Sequence, residues 1–244
     1  MSGFRAVFKR ELVSYFRTPL AYVFLVIFIF ASAYLTFKDN WFEAGQASLA
    51  IFFQNMPTLF LFLVPAMAMR LWAEERRSNS VELLFTLPVT TPQAVLGKFF
   101  AAWAMLLLAL ALTFPMVVTV AYLGDPDPGP IATGYLACAL LAGAYLGIGS
   151  FFSALTRNQV IAFVLGVVAG GAFLVLGHPS TLDFLTGYDA PQGLLDALEG
   201  LSFQIHFESL MRGVVEIRDV IFFLLLTAGW LWANMVMLDE RRAA

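Results

Sequence analysis

Four adjoining ionisable side chains, Glu74, Glu75, Arg76 and Arg77, interrupt a chain of 244 residues in which only 13% are charged. Acid beside base in this way suits ion pairing and protein docking rather than catalysis, and the polar run continues through Ser78, Asn79 and Ser80. It leads into Val81, Glu82, Leu83, Leu84, Phe85, Thr86, Leu87 and Pro88. Asn79 with Glu82 three residues on has the form of a capping box, so the spacing predicts a short helix that starts near Ser80 and stops before Pro88. Val81, Leu84 and Phe85 give that helix an apolar edge fit for a groove on another protein. The plainer alternative is a solvated connector whose charges only set topology.

Other chemistries find little support. The three lysines, Lys9, Lys38 and Lys98, include none that follows glycine and precedes Ser or Thr, so no phosphate-binding loop is present; Gly97 and Lys98 run on into Phe99. An intramembrane serine hydrolase would need Ser150 to face His178 or His206, and both histidines fall in a loop region away from the apolar run that holds the serine. Asp183, Asp189, Asp196 and Glu199 are too scattered for a metal site and read as solvated charge. A net charge of −3 gives no reason to expect nucleic acid, and the single cysteine, Cys138, rules out an internal disulfide and sits where helices pack.

The elements that carry these residues are apolar. With 60% hydrophobic residues the chain is far from the composition of a soluble domain, and six spans are expected near 20–37, 49–71, 99–123, 131–155, 160–177 and 220–238. An even count puts both termini on one side. Eleven of the Lys and Arg residues (Arg5, Lys9, Arg10, Arg17, Arg70, Arg76, Arg77, Lys98, Arg157, Arg241, Arg242) lie on that side, against Lys38, Arg212 and Arg218 on the other. The termini and the loop at 73–98 are therefore expected in the cytoplasm, and the loop at 178–219 outside. Ala31, Ser32 and Ala33 have the form of a signal cleavage site, but the apolar run continues through Tyr34, Leu35 and Phe37, which favours a retained span.

Residues 1–19 precede the first span. Phe4, Val7, Phe8, Leu12, Tyr15 and Phe16 recur at helical spacing opposite Arg5, Lys9, Arg10 and Arg17, which predicts an amphipathic helix on the cytoplasmic face. Thr18 with Pro19 then supplies a cap and first turn for the first span, and Thr91 with Pro92 does the same for the third. The six-helix domain is expected over 20–238, with a cytoplasmic tail at 239–244.

Within the spans, Gly143 and Gly147 fall four apart after Ala139, and Gly166 with Gly170 repeats the spacing after Ala162. Such small residues let helices approach closely, either within the chain or between two copies. Pro57, Pro65 and Pro115 should kink their spans. Gln54 and Asn55 either line a pathway or bond across helices. The absence of ionisable residues near span centres argues against proton coupling. In the outer loop, Phe203, Phe207, Leu210, Met211 and Val214 predict an amphipathic helix at or dipping into the interface.

Glu74, Glu75, Arg76, Arg77 and Ser78, then Glu82, Leu83 and Leu84, then Leu87 with Pro88, and finally Gly97 with Lys98 resemble the coupling region of ABC-type-2 exporter permeases. The likeness spans 25 residues and extends in layout over the whole chain. It is closest to the gliding-motility and nitrous-oxide-reductase-maturation permeases, where the run His206, Phe207, Glu208, Ser209, Arg212, Gly213, Val214 also matches. The resemblance implies a non-catalytic transmembrane subunit of an exporter in the cytoplasmic (inner) membrane. It further implies homo- or heterodimer pairing, short exoplasmic gate helices, contact with membrane lipid, and cytoplasmic ATPase subunits that hold ATP and Mg. In that reading Glu74, Glu75, Arg76, Arg77, Ser80, Glu82, Leu84 and Phe85 meet the ATPase. A non-transporting membrane scaffold or assembly subunit is the alternative, and the cargo is left open among lipid-linked glycan, lipid, peptide, drug and a factor for enzyme maturation.

Overall fold

The computed structural model describes residues 3–38, 48–78, 89–187 and 191–243. Among them are twelve helices: α1 (Gly3–Arg17), α2 (Pro19–Lys38), α3 (Ala50–Ala68), α4 (Arg70–Arg77), α5 (Thr91–Ala111), α6 (Phe114–Leu123), α7 (Pro128–Leu155), α8 (Gln159–Val175), α9 (Pro179–Thr186), α10 (Gln192–Gly200), α11 (Phe203–Leu210) and α12 (Ile217–Ala243).

Among the described residues, five apolar stretches are long enough to cross a bilayer: Pro19–Lys38, Ala50–Arg77, Thr91–Leu123, Pro128–Leu155 and Ile217–Glu240. The sixth expected span, 160–177, is the 17-residue helix α8. At ~1.5 Å per residue it is about 25 Å long, shorter than a hydrocarbon core of about 30 Å. The fold is therefore all-α and polytopic, with five long membrane-crossing candidates and one shorter apolar helix. Outward faces are apolar as lipid requires: Phe30, Val168, Leu225 and Trp232 are each at least 65% exposed.

Local chemistry sets the boundaries. Thr18 does not cap α2; its hydroxyl donates back to the Tyr15 carbonyl at 3.0 Å and closes the end of α1. The cap of α5 lies one residue earlier than expected, at Thr90, in a reciprocal capping box with Gln93. The third span is not straight. It breaks at Leu112 and Thr113, just before Pro115, whose ring nitrogen has no hydrogen to donate back along the helix. Asp127 starts α7 earlier than expected by accepting from the Gly129 amide at 2.9 Å. Helix α3 runs through Pro57, and a break at Met69, four residues after Pro65, separates it from α4.

Helix α7 is the hub, packing against α3, α4, α5, α8, α11 and α12. Its small residues make this possible through close contacts inside the bundle. Gly143 faces Trp103 of α5 and Thr227 of α12, while Gly147 lies against Thr227 and Trp230. Gly166 of α8 sits over Pro65, and a Cβ built on Gly170 would lie 2.6 Å from the Tyr145 ring. Gly134 and Gly149, outside the predicted repeats, are as tight, against Phe53 and Ala68.

Candidate functional site

The break at Met69 determines the local chemistry of the charged run. Met69 cannot cap α4 with its own side chain, so the amides that open the helix need an acceptor from elsewhere. Ser153 of α7 provides it: its hydroxyl oxygen accepts from the Trp72 and Ala73 amides, each at 3.0 Å, and donates to the Met69 carbonyl at 2.8 Å. One turn earlier on α7, Ser150 accepts from Trp72 Nε1 at 3.3 Å and from Asn234 Nδ2 of α12 at 2.7 Å. Arg76 Nη1 donates to the Ala154 carbonyl at the end of α7. Thus α4 is fastened directly to α7, and through Ser150 indirectly to α12, by polar contacts.

The opposite side of α4 holds an ion cluster. Lys98 enters from α5 and is 2% exposed, with its Nζ 2.9 Å from Glu75 Oε1 and 3.2 Å from Glu11 Oε1. Arg10 Nη2 meets the same two carboxylates at 3.3 and 2.7 Å. The Lys98 ammonium lies 5.1 Å from the centre of the Trp72 ring, in reach of its negative face. Burial pushes the Glu11 carboxyl up, but Lys98 and Arg10 together outweigh it and hold its pKa below the ordinary carboxylate value. The cluster ties α1, α4 and α5 at one level.

Helix α1 is held by packing as well. Val7 is buried and Phe4 meets Phe100 edge to face at 6.1 Å. Gly97 gives α1 its close approach, because a Cβ there would lie 2.8 Å from the Val7 side chain. At the N-terminal end of α5, Thr91 Oγ1 donates to Asp239 of α12.

The predicted docking residues thus divide. Glu74 and Arg77 are exposed, whereas Glu75 and Arg76 are turned toward the chain's own helices. Ser80, Glu82, Leu84 and Phe85, with the short helix predicted for them, lie outside the described residues. Gln54 is exposed on α3, and Asn55 donates to the Ile51 carbonyl one turn back in its own helix at 3.1 Å. Sequence reasoning missed Ser153 and Asn234, and weighed Ser150 only as a nucleophile. The available signal was three hydrogen-bonding side chains on long apolar helices, two of them three residues apart and so on one face.

A second buried polar contact lies around α11. Phe203, Phe207 and Leu210 are buried, as their spacing predicts, but the helix ends before Met211, and Val214 is 65% exposed. The chain turns there at Gly213, whose φ of +91° a side chain would strain. His206 is not a loop residue: it is buried in α11, its Nδ1 2.6 Å from Asp219 Oδ1 of α12 and its Nε2 3.1 Å from the Gly200 carbonyl. Its ring stacks on Phe222 at 4.0 Å. Phe203 meets Tyr145 edge to face and stacks on Phe173, both at 5.1 Å, so α11 reaches the bundle interior.

Residues 35–234 match the family described as ABC-2 family transporter protein. No individual curated protein matches the chain.

Proposed function

The chain belongs to the ABC-2 family of transporter membrane proteins, and from that premise we propose that it is the permease subunit of an exporter whose engine docks on the 79–88 segment. As a multi-pass permease component it belongs to a class that is typically non-catalytic and generally pairs with ABC ATPase subunits. In this reading two permease copies enclose the pathway, and ATPase closure drives it between inward and outward access.

The observation that carries the reading is the anchorage of both flanks of that segment. On one flank α4 is bonded to α7 through Ser153, Ser150 and Arg76, and Ser150 is in turn bonded to Asn234 of α12; on the other, α5 is bonded to α1 and α4 through Lys98. Force applied between Ser78 and Val89 therefore enters the long helices directly. Exposed Arg77 extends the docking surface, while Glu75 and Arg76 hold the platform together. The Lys and Arg distribution supports a cytoplasmic location for this platform and for both termini. Kinship with the gliding-motility and nitrous-oxide-reductase-maturation permeases rests on the run from His206 to Val214, with α11 as part of an outer gate.

Crosslinking tests the docking. Cysteine at Ser80 should crosslink to the partner ATPase, and Leu84→Asp or Phe85→Asp should abolish crosslinking and substrate-stimulated hydrolysis while membrane insertion is retained, because an unpaired charge would be buried at the contact. Normal coupling in both Asp variants would move the contact elsewhere. Crosslinking without any stimulation of hydrolysis by transported material would favour the scaffold.

A further inference from the structure

Where α1 turns into α2, the elbow leaves a cavity of about 610 Å³ against the junction of α3 and α4. That lies within the roughly 300–1,000 Å³ typical of small-ligand sites. Its two ends differ in chemistry. Arg10, Glu11, Arg70, Glu74, Glu75 and Lys98 line one end, and Phe24 and Ile27 of α2 with Leu63 and Met67 of α3 line the other. Leu20, Val23 and Ile27, also on its wall, are 43%, 52% and 47% exposed, so the apolar end opens sideways where lipid would lie.

Four of the six charges satisfy one another: Arg10 and Lys98 are shared by Glu11 and Glu75. Arg70 and Glu74 stand apart. They lie one turn apart on α4, both exposed, and among the described residues neither side chain has a hydrogen bond or ion pair with the protein. The cavity therefore offers one guanidinium and one carboxylate at the mouth of an apolar slot, within a lining of three positive and three negative groups. A purely anionic head would meet Glu74 with nothing to balance it. A soluble zwitterion would leave the apolar end unused.

We propose that this cavity binds a zwitterionic membrane phospholipid, its phosphate on Arg70, its ammonium on Glu74, and one chain running between α2 and α3. The site belongs to the leaflet that meets the charged platform, and its occupancy does not depend on an ATPase.

Native mass spectrometry of the delipidated full chain in detergent tests this, with dioleoylphosphatidylethanolamine, dioleoylphosphatidylglycerol and soluble phosphoethanolamine as probes. One phosphatidylethanolamine should be retained, with the phosphatidylglycerol and the headgroup alone each weaker by on the order of tenfold. Arg70→Gln and Glu74→Gln, both exposed and so of little cost to folding, should each lower its affinity by about tenfold, since each removes a charge-assisted hydrogen bond. Ala66→Trp should block the cavity, and Arg157→Gln, in the turn between α7 and α8 and not part of the cavity lining, should change nothing. Equal retention of the two lipids, unchanged affinity in both Gln variants, or a headgroup that binds as tightly as the lipid would overturn the assignment. If Ala66→Trp fails to fold, the Gln variants alone decide.

Discussion

Replacing Lys98 by Met keeps most of the side-chain volume and its contact with Trp72 but deletes the central charge of the cluster. Lys98 is 2% exposed and touches two carboxylates at 2.9 and 3.2 Å. Removing one partner of a fully buried pair costs about 3–5 kcal/mol, mostly because the other charge is left uncompensated. Here Glu11 and Glu75 retain 16% and 22% side-chain exposure, and Arg10 still reaches both. Water and Arg10 thus absorb part of the loss, and roughly 2 kcal/mol remains, or about 30-fold in the local opening equilibrium. The effect should concentrate on α1, whose attachment to α4 runs through this cluster. Hydrogen exchange of the purified full chain should show the α1 amides around Val7 and Leu12 exchanging on the order of 30-fold faster, with the centre of α7 little changed. Arg10→Gln, at a side chain 49% exposed, should do much less. Combining Lys98→Met with Glu75→Gln should cost less than the sum of the two, because the second change removes a carboxylate the first has orphaned. Exchange of α1 within twofold of the parent, or strict additivity, would refute the claim that this cluster holds the elbow.

Ser153→Ala leaves the Trp72 and Ala73 amides without their acceptor and should cost about 1–3 kcal/mol, seen as a lower thermal transition and faster exchange at those two amides. Gly170→Val drives a side chain into the Tyr145 ring and should destabilise by roughly 1–3 kcal/mol in the same melt, whereas Gly229→Ala, which meets nothing within 4 Å, should be nearly silent. The contribution of Glu11 has a defined pH window. Its folded pKa is lowered, so the stabilisation is complete above the ordinary value of 4.5 and is lost as pH falls through the lower folded value. A stability profile should therefore show a Glu11→Gln difference that is constant from pH 7 to about 5 and shrinks in stronger acid.

Composition and periodicity were enough to read a multi-pass helical protein, the approximate spans, the amphipathic α1 and the buried face of α11. Burial from a bilayer needs only long apolar runs, and burial of one helix face needs only a 3.6-residue period, so both are local properties of the chain. Two kinds of feature were not legible. Helix length at α8 depends on where neighbouring backbone groups find partners, and hydropathy does not record that, whereas the break between α5 and α6 falls where Pro115 predicts a kink. The partition of the charged run depends on which side of α4 faces α7: Glu75 and Arg76 are adjacent to Glu74 and Arg77 and identical to them in type, yet only the tertiary structure turns the first two inward. The fastening roles of Ser150, Ser153 and Asn234 were invisible for the same reason. A serine on an apolar helix carries no sign that a break 84 residues earlier, at Met69, will present it with two unsatisfied amides. Short-range patterns are written in the order of residues; pairings between donors and acceptors far apart in the chain exist only once packing has brought them together.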